Sequence, residues 1–393
     1  MLNKKYFVFL TLALAILFFP IAGQTETDLK IAGWIPYWKV AEGTKDAKNN
    51  LDKLDAIYPF SFTVKNDGTL KDLGDLENRN WVKLFREAKK ARVDIIPTVM
   101  WSNANSMQEI LSDPTTRKNH IEQIVEMVED DNYAGVDIDY EGKMASTKDY
   151  FSLFIEELKD KLDDKTLVCT IEARTPPDSL YRNIPNPLIY ANDYARLGQA
   201  CDVFQIMTYD QQRADIKLND SKRGSPYAPT ADADWVEKVI KLALEDIPKN
   251  KIMLGVPTYG AEYEVTVSPN WYQGYKKLWA LNPEYGVKTA KKYKTRAFTN
   301  SAGELAFSYL PKESTVKLKS LTIPKDTPRG LEIAAKALAH ANKTGETVKF
   351  NYVSWSDAKA IKEKIKLAEK YDLRGIAIFK IDGGEDKNIW KLF

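Results

Sequence analysis

Three acids at alternate positions, Asp137, Asp139 and Glu141, are the residues whose type and spacing most plainly permit chemistry. They lie in the run Tyr133-Ala134-Gly135-Val136-Asp137-Ile138-Asp139-Tyr140-Glu141. Side chains alternate along an extended strand, so these acids share one face while Val136, Ile138 and Tyr140 take the other. On a solvated antiparallel sheet that pattern is harmless. On a parallel strand inside a closed barrel both faces are covered, and three stacked carboxylates are costly unless protonated or hydrogen-bonded. Burial and mutual repulsion then raise the pKa of at least one, and a carboxyl protonated near neutrality is what a general acid requires.

The elements needed to hold such a strand are visible along the chain. Eight short apolar runs, Lys30 to Ile35, Ala56 to Phe62, Val93 to Val99, Gly135 to Asp139, Leu167 to Ala173, Val203 to Thr208, Ile252 to Val256 and Gly375 to Phe379, alternate with helical or polar stretches. This predicts an α/β fold, a (β/α)8 TIM barrel. Asp113-Pro114 is a helix start, and Ile121, Ile124, Val125 and Val128 follow at the spacing of one apolar stripe. Phe151, Phe154, Ile155 and Leu158 repeat it, as do Val236, Val239, Ile240 and Ala243. The interval from Ile252 to Gly375 exceeds by about 80 residues the roughly 30 to 45 that one βα unit needs. The surplus, 261–350, carries Trp271, Tyr272, Trp279 and Tyr309. We expect a small α+β insertion there, between strands 7 and 8 on the loop face where barrel sites lie. The barrel then spans 28–393.

With these runs in place, the chain resembles glycoside hydrolase family 18, the chitinase and endo-N-acetylglucosaminidase family, whose fourth strand carries D-G-x-D-x-D-x-E. Gly135, Asp137, Asp139 and Glu141 match, while Ala134 stands where the first Asp is usual. Gln205-Ile206-Met207-Thr208-Tyr209-Asp210 resembles the sixth-strand Q-x-M-x-Y-D motif and Gly255-Val256-Pro257-Thr258-Tyr259-Gly260 the seventh-strand G-x-P-x-Y-G; Val353-Ser354-Trp355-Ser356-Asp357 is similar to the approach to the last helix. The resemblance implies retaining hydrolysis of a β-linked N-acetylglucosaminyl bond, with the sugar's own acetamido carbonyl as nucleophile. In that scheme Glu141 protonates the leaving oxygen, Asp139 orients the acetamido group, and Asp137 holds Asp139 from below. Tyr209 hydrogen-bonds the acetamido carbonyl, Asp210 sets the charge and position of Glu141, and Met207 packs beneath the sugar. Gln205 is expected to satisfy neighbouring polar groups.

The eighth run ends in Phe379 where the family usually has Trp, so the floor of the sugar site is smaller and sugar binding is expected to be weaker. Trp34, Tyr37, Trp38 and Trp101 follow barrel strands and are candidates both for sugar platforms and for core packing. Glu172 and Arg174 end the fifth run, where they pair with each other or contact substrate. The expected partner is an N-acetylglucosamine-containing polysaccharide or glycan, soluble or of the cell wall; no chitin-binding tail is apparent. A catalytically silent, chitinase-like carbohydrate-binding protein is the alternative, and the intact acids favour the enzyme. No cofactor is implied.

Composition narrows the field. There are 57 Lys+Arg against 55 Asp+Glu, a balance without the basic footprint of a nucleic-acid binder. Lys4 and Lys5 precede an apolar run from Tyr6 to Leu17, a signal-peptide pattern over 1–23 that is either removed near Gly23 or kept as a membrane anchor. Either way an exported protein is expected. With only His120 and His340, both expected on helix surfaces, a His-rich metal site is not predicted. Cys169 and Cys201 are expected to be buried free thiols, a single bridge being the alternative.

Overall fold

A computed structural model describes residues 29–318 and 321–393, so the leader segment 1–23 lies outside the described residues. Eight parallel strands, Lys30–Pro36, Ala56–Val64, Thr98–Trp101, Gly135–Tyr140, Thr166–Glu172, Val203–Met207, Ile252–Pro257 and Gly375–Phe379, run side by side. The eighth pairs with both the seventh and the first, and the first with the second, which closes the barrel. The third run divides into Asp94–Ile95 and Thr98–Trp101. Between them Pro97 has no N–H to give to a ladder.

Alternation sorts the strand residues into two layers. Trp34, Tyr58, Phe60, Val168, Val203 and Met253 fill the barrel interior. Ile35, Ile57, Val136, Ile138, Tyr140 and Ile206 point outward into the core shared with the helices. The register opposite the acid strand pairs Thr98 with Asp137 and Met100 with Asp139. On the other side Asp139 pairs with Thr170. Gly135 is required where it stands: a Cβ there would lie 1.9 Å from the Thr166 carbonyl oxygen.

The helices form where their stripes predict. Asp113 caps Pro114–Asp130 by accepting the Thr115 and Thr116 N–H groups, and Ile121, Ile124 and Val128 are buried. Phe151, Phe154, Ile155 and Leu158 are buried on Lys148–Leu162. Ala233–Ala243 buries Val236, Val239, Ile240 and Ala243. Asp357 caps the last long helix, Ala358–Lys370. Among the described residues no helix is long and apolar enough to cross a membrane.

Between the seventh and eighth strands stands an antiparallel sheet of five strands, in the order Trp271–Leu281, Gly260–Ser268, Val348–Trp355, Leu305–Tyr309 and Phe298–Thr299. Helices Pro283–Lys292 and Glu332–Thr344 accompany it. The sheet runs past Phe350 to Trp355 because Gly260 through Val267 pairs with the whole of Val348 to Trp355. The strands meet tightly at Gly260, where a Cβ would fall 2.0 Å from the Ser354 carbonyl oxygen.

Two expectations are corrected. Cys169 and Cys201 are bridged, not free. Cys169 faces outward from the fifth strand, and the helix Tyr194–Ala200 ends directly before Cys201, bringing the two Cα atoms to 6.0 Å. His120 is not on a surface but 1% exposed, with Nδ1 on the Gly68 carbonyl and Nε2 on the Tyr140 hydroxyl. The carbonyl can only accept, so Nδ1 carries the proton and Tyr140 donates to Nε2. Burial pushes the imidazole down to about 4. His340 is half-buried on the helix Glu332–Thr344.

Candidate active site

The fourth strand delivers its acids at successive depths along the barrel axis. Asp137 lies deepest and is fully buried. Its Oδ2 accepts from Trp34 Nε1 at 2.9 Å and Thr98 Oγ1 at 2.8 Å, and its Oδ1 from Thr170 Oγ1 at 2.7 Å. Burial raises its pKa to about 6 against the pull of those three donors. One step up, Asp139 is 4% exposed, and its Oδ1 accepts no hydrogen bond. Burial first, then the charges of Glu141 and Asp137, hold it well above the ordinary carboxylate range. Glu141 ends the series at the mouth, where partial burial and then Glu172 and Asp210 raise its pKa while the Lys143 ammonium opposes them.

Asp139, Glu141, Met207, Tyr209 and Asp210 line one cleft of about 360 Å³, with Phe379 on its wall. Tyr209 stacks on Phe379, centroids 5.3 Å apart, and Trp34, Phe60 and Tyr259 meet the same phenyl ring within 6.1 Å. Asp210 sits in the left-handed backbone region at φ 53° and meets Lys277 of the insertion at 3.4 Å. Past Asp210, Tyr259 and Phe379 the cleft continues into a groove of about 620 Å³ between barrel and insertion, walled by Trp38, Trp279 and Tyr285.

Of the other residues singled out in the sequence, Glu172 also lines this cleft and Trp38 the adjoining groove, while the rest fall elsewhere. Trp101 is turned away from the cleft: inward Met100 precedes it, so Trp101 faces the helix layer, where its ring meets Tyr140 and His120. Trp34 is buried beneath the site as the donor to Asp137. Tyr37 is half-buried against Trp38, and Trp38 is 48% exposed on the groove. Gln205 is buried and donates to Thr170 at 3.3 Å, one hydrogen bond removed from Asp137. Glu172 and Arg174 do not pair with each other. Glu172 takes hydrogen bonds from Gly142 N and Asn192 Nδ2, while Arg174 donates to the Asn192 carbonyl and lies over the rings of Tyr190 and Tyr194.

Three neighbours of the site escape the sequence reading. Tyr259 lies inside the seventh-strand motif with no role deduced for it. Lys143 extends the alternation two places beyond Glu141. Asn192 belongs to the segment after the fifth strand and carries no local signal at all.

A cleft at the mouth of a closed barrel, with an aromatic wall and carboxyls raised by burial, has the parts of a glycoside-cleaving site: proton donors beside an apolar sugar face. The chain belongs to the glycosyl hydrolases family 18, whose family model matches residues 30–384. It is 22% identical over 408 aligned positions to the uncharacterized glycosylase YvbX of Bacillus subtilis, covering 99% of this chain and 98% of that one. It is 23% identical to the cortical fragment-lytic enzyme of Bacillus cereus, over 85% of this chain and 66% of the relative. Among solved structures, a chitinase from Chromobacterium violaceum superposes with a TM-score of 0.68 at 18% identity, covering 93% of this chain and 97% of its own.

Proposed function

We propose that this protein is an exported hydrolase of β-linked N-acetylglucosaminyl bonds in chitin oligomers, peptidoglycan or related glycans, working with retention and with the substrate's acetamido group as nucleophile. The observation that carries this reading is the single cleft shared by Glu141, Asp139 and Tyr209. A sugar resting against Phe379 places its glycosidic oxygen at Glu141. As that carboxyl gives its proton to the leaving oxygen, the C–O bond breaks and the acetamido oxygen closes on the anomeric carbon. The positive charge of this cyclic intermediate favours ionised Asp139, whose unpartnered Oδ1 takes a hydrogen bond from the acetamido N–H. Tyr209 steadies the acetamido oxygen. Water then attacks the anomeric carbon, returning its proton to Glu141 and opening the ring. The family stands outside the two-carboxylate scheme, so no second carboxylate nucleophile is required.

Export is supported by Lys4, Lys5 and the apolar run that follows, and by a disulfide that suits an oxidising compartment. The names of relatives among cortical fragment-lytic enzymes and chitinases support an N-acetylglucosamine-containing glycan as substrate. The test is product release from N-acetylglucosamine oligomers and from peptidoglycan fragments by the parent and Glu141→Gln. Loss of about 10²- to 10⁴-fold in the variant is expected for removal of a general acid. Tight oligomer binding without turnover in the parent overturns the hydrolase in favour of a lectin.

A further inference from the structure

Glu141 is the first residue beyond its strand; its own N–H is held by the Trp101 carbonyl at 2.8 Å, and the turn that follows needs a further hold. Glu172 supplies it from the neighbouring fifth strand: its Oε1 accepts the N–H of Gly142, the residue after Glu141, at 2.9 Å. Its Oε2 accepts from Asn192 Nδ2 at 2.9 Å and meets Lys143 Nζ at 3.5 Å. The Lys143 ammonium is buried, donates to the Tyr140 carbonyl and lies 4.5 Å from the Phe151 ring centre. A charged pair thus brackets the turn that carries the acid, its Lys143 ammonium buried and its Glu172 carboxylate partly exposed at the cleft.

We propose that Glu172 and Lys143 act as a pair of oppositely charged positioning residues on the turn that carries Glu141, Glu172 holding the Gly142 N–H and Lys143 the Tyr140 carbonyl. The inference rests on the reading of Glu141 as the acid. All charged or titratable groups acting on Glu141 enter the balance: Asp139 on its own strand, Lys143 on the turn, Glu172 on the fifth strand, Asp210 and Tyr209 after the sixth, and Tyr259 after the seventh. Burial first, and then the Glu172 carboxylate, raises Glu141. Burial pushes Glu172 itself upward, but Lys143, the Gly142 N–H and Asn192 together outweigh it and hold the carboxyl below the usual carboxylate range. Arg174 supports the arrangement from behind, donating to the Asn192 carbonyl at 2.7 Å.

The two partners therefore carry opposite signs. Removing the negative charge lowers the pH at which Glu141 loses its proton; removing the positive charge raises it. The experiment measures the pH dependence of kcat/KM on unactivated N-acetylglucosamine oligomers for the parent, Glu172→Gln and Lys143→Met. In parallel, carbon NMR of ¹³C-carboxyl-labelled glutamate titrates Glu141 directly, its resonance assigned by loss in Glu141→Gln. Glu172→Gln keeps an acceptor for Gly142 N–H and is expected to move the basic limb down by roughly one pH unit, and Lys143→Met to move it up by a similar amount. Unmoved limbs, or shifts of the same sign in both variants, overturn the proposal. Since the NMR titration needs no turnover, it stands even if Glu141→Gln retains activity and the catalytic reading fails.

Discussion

Asp137 and Asp139 stand one above the other on a single strand face, yet Asp137 accepts three side-chain hydrogen bonds and Asp139 Oδ1 accepts none. The lower acid is built into the barrel by Trp34, Thr98 and Thr170; the upper one is left with capacity to spare beside the cleft. An unsatisfied buried oxygen weakens a fold, and this one lies on the cleft beside Glu141 and Tyr209, where the proposed reaction gives it the acetamido N–H as partner.

The same substitution should consequently cost different things at the two positions. Asp137→Ala strands the Trp34, Thr98 and Thr170 donors and is expected to lower unfolding free energy by about 2–4 kcal/mol. Asp139→Ala removes a buried acid with no partner on Oδ1, so its stability change is expected within about 1 kcal/mol, of either sign, while turnover falls at least about 10²-fold. Urea denaturation and oligomer hydrolysis, run on both variants, separate the two effects. Equal stability losses would refute the division of labour.

Phe379 offers one ring to the cleft, supported by Trp34, Phe60, Tyr209 and Tyr259. Phe379→Ala should weaken binding of N-acetylglucosamine oligomers about 10- to 100-fold through lost apolar contact. Phe379→Trp enlarges the platform and adds an N–H donor, and is expected to strengthen binding several-fold. Isothermal titration with a trisaccharide in the Glu141→Gln background reads both without turnover.

The segment after the eighth strand should make stability fall with pH. Glu385 is buried against Asp46, and burial, followed by the hydrogen bond to Asp46 and its charge, raises Glu385 from 4.5 to about 9. The same cluster includes Asp382 N–H on Glu385 Oε2 at 3.1 Å and Trp390 Nε1 on Asp46 Oδ2 at 3.0 Å. An acid whose folded pKa is raised binds its proton more tightly when folded, so its stabilisation is complete below the unfolded value and is lost as pH rises through the folded one. Between pH 5 and 9 the parent should lose stability with a slope contribution of order 1 kcal/mol per pH unit from this group. Glu385→Gln keeps a donor for Asp46 and should flatten that slope in denaturation series at pH 5, 7 and 9.

Strand positions, helix stripes and the shared face of Asp137, Asp139 and Glu141 were legible in the chain because each follows from a local repeat of two or 3.6 residues. The excess length before Gly375 likewise announced an insertion, although its sheet continues to Trp355, since the pairing of Gly260–Ser268 with Val348–Trp355 joins segments far apart in sequence. Trp101 follows the third strand as a sugar platform would, but the register that turns Met100 inward sends it to the helix layer.

Residue order alone thus determined which side chains could act and on which strand face they sit, because alternation is a property of an extended backbone. Tertiary structure alone decided that Cys169 meets Cys201, that His120 is sealed behind Tyr140, and that Glu172, Asn192 and Lys143 surround the turn after Glu141. Those contacts join residues up to dozens of positions apart. They exist only once the barrel closes and sets neighbouring strands in register, which no local pattern encodes.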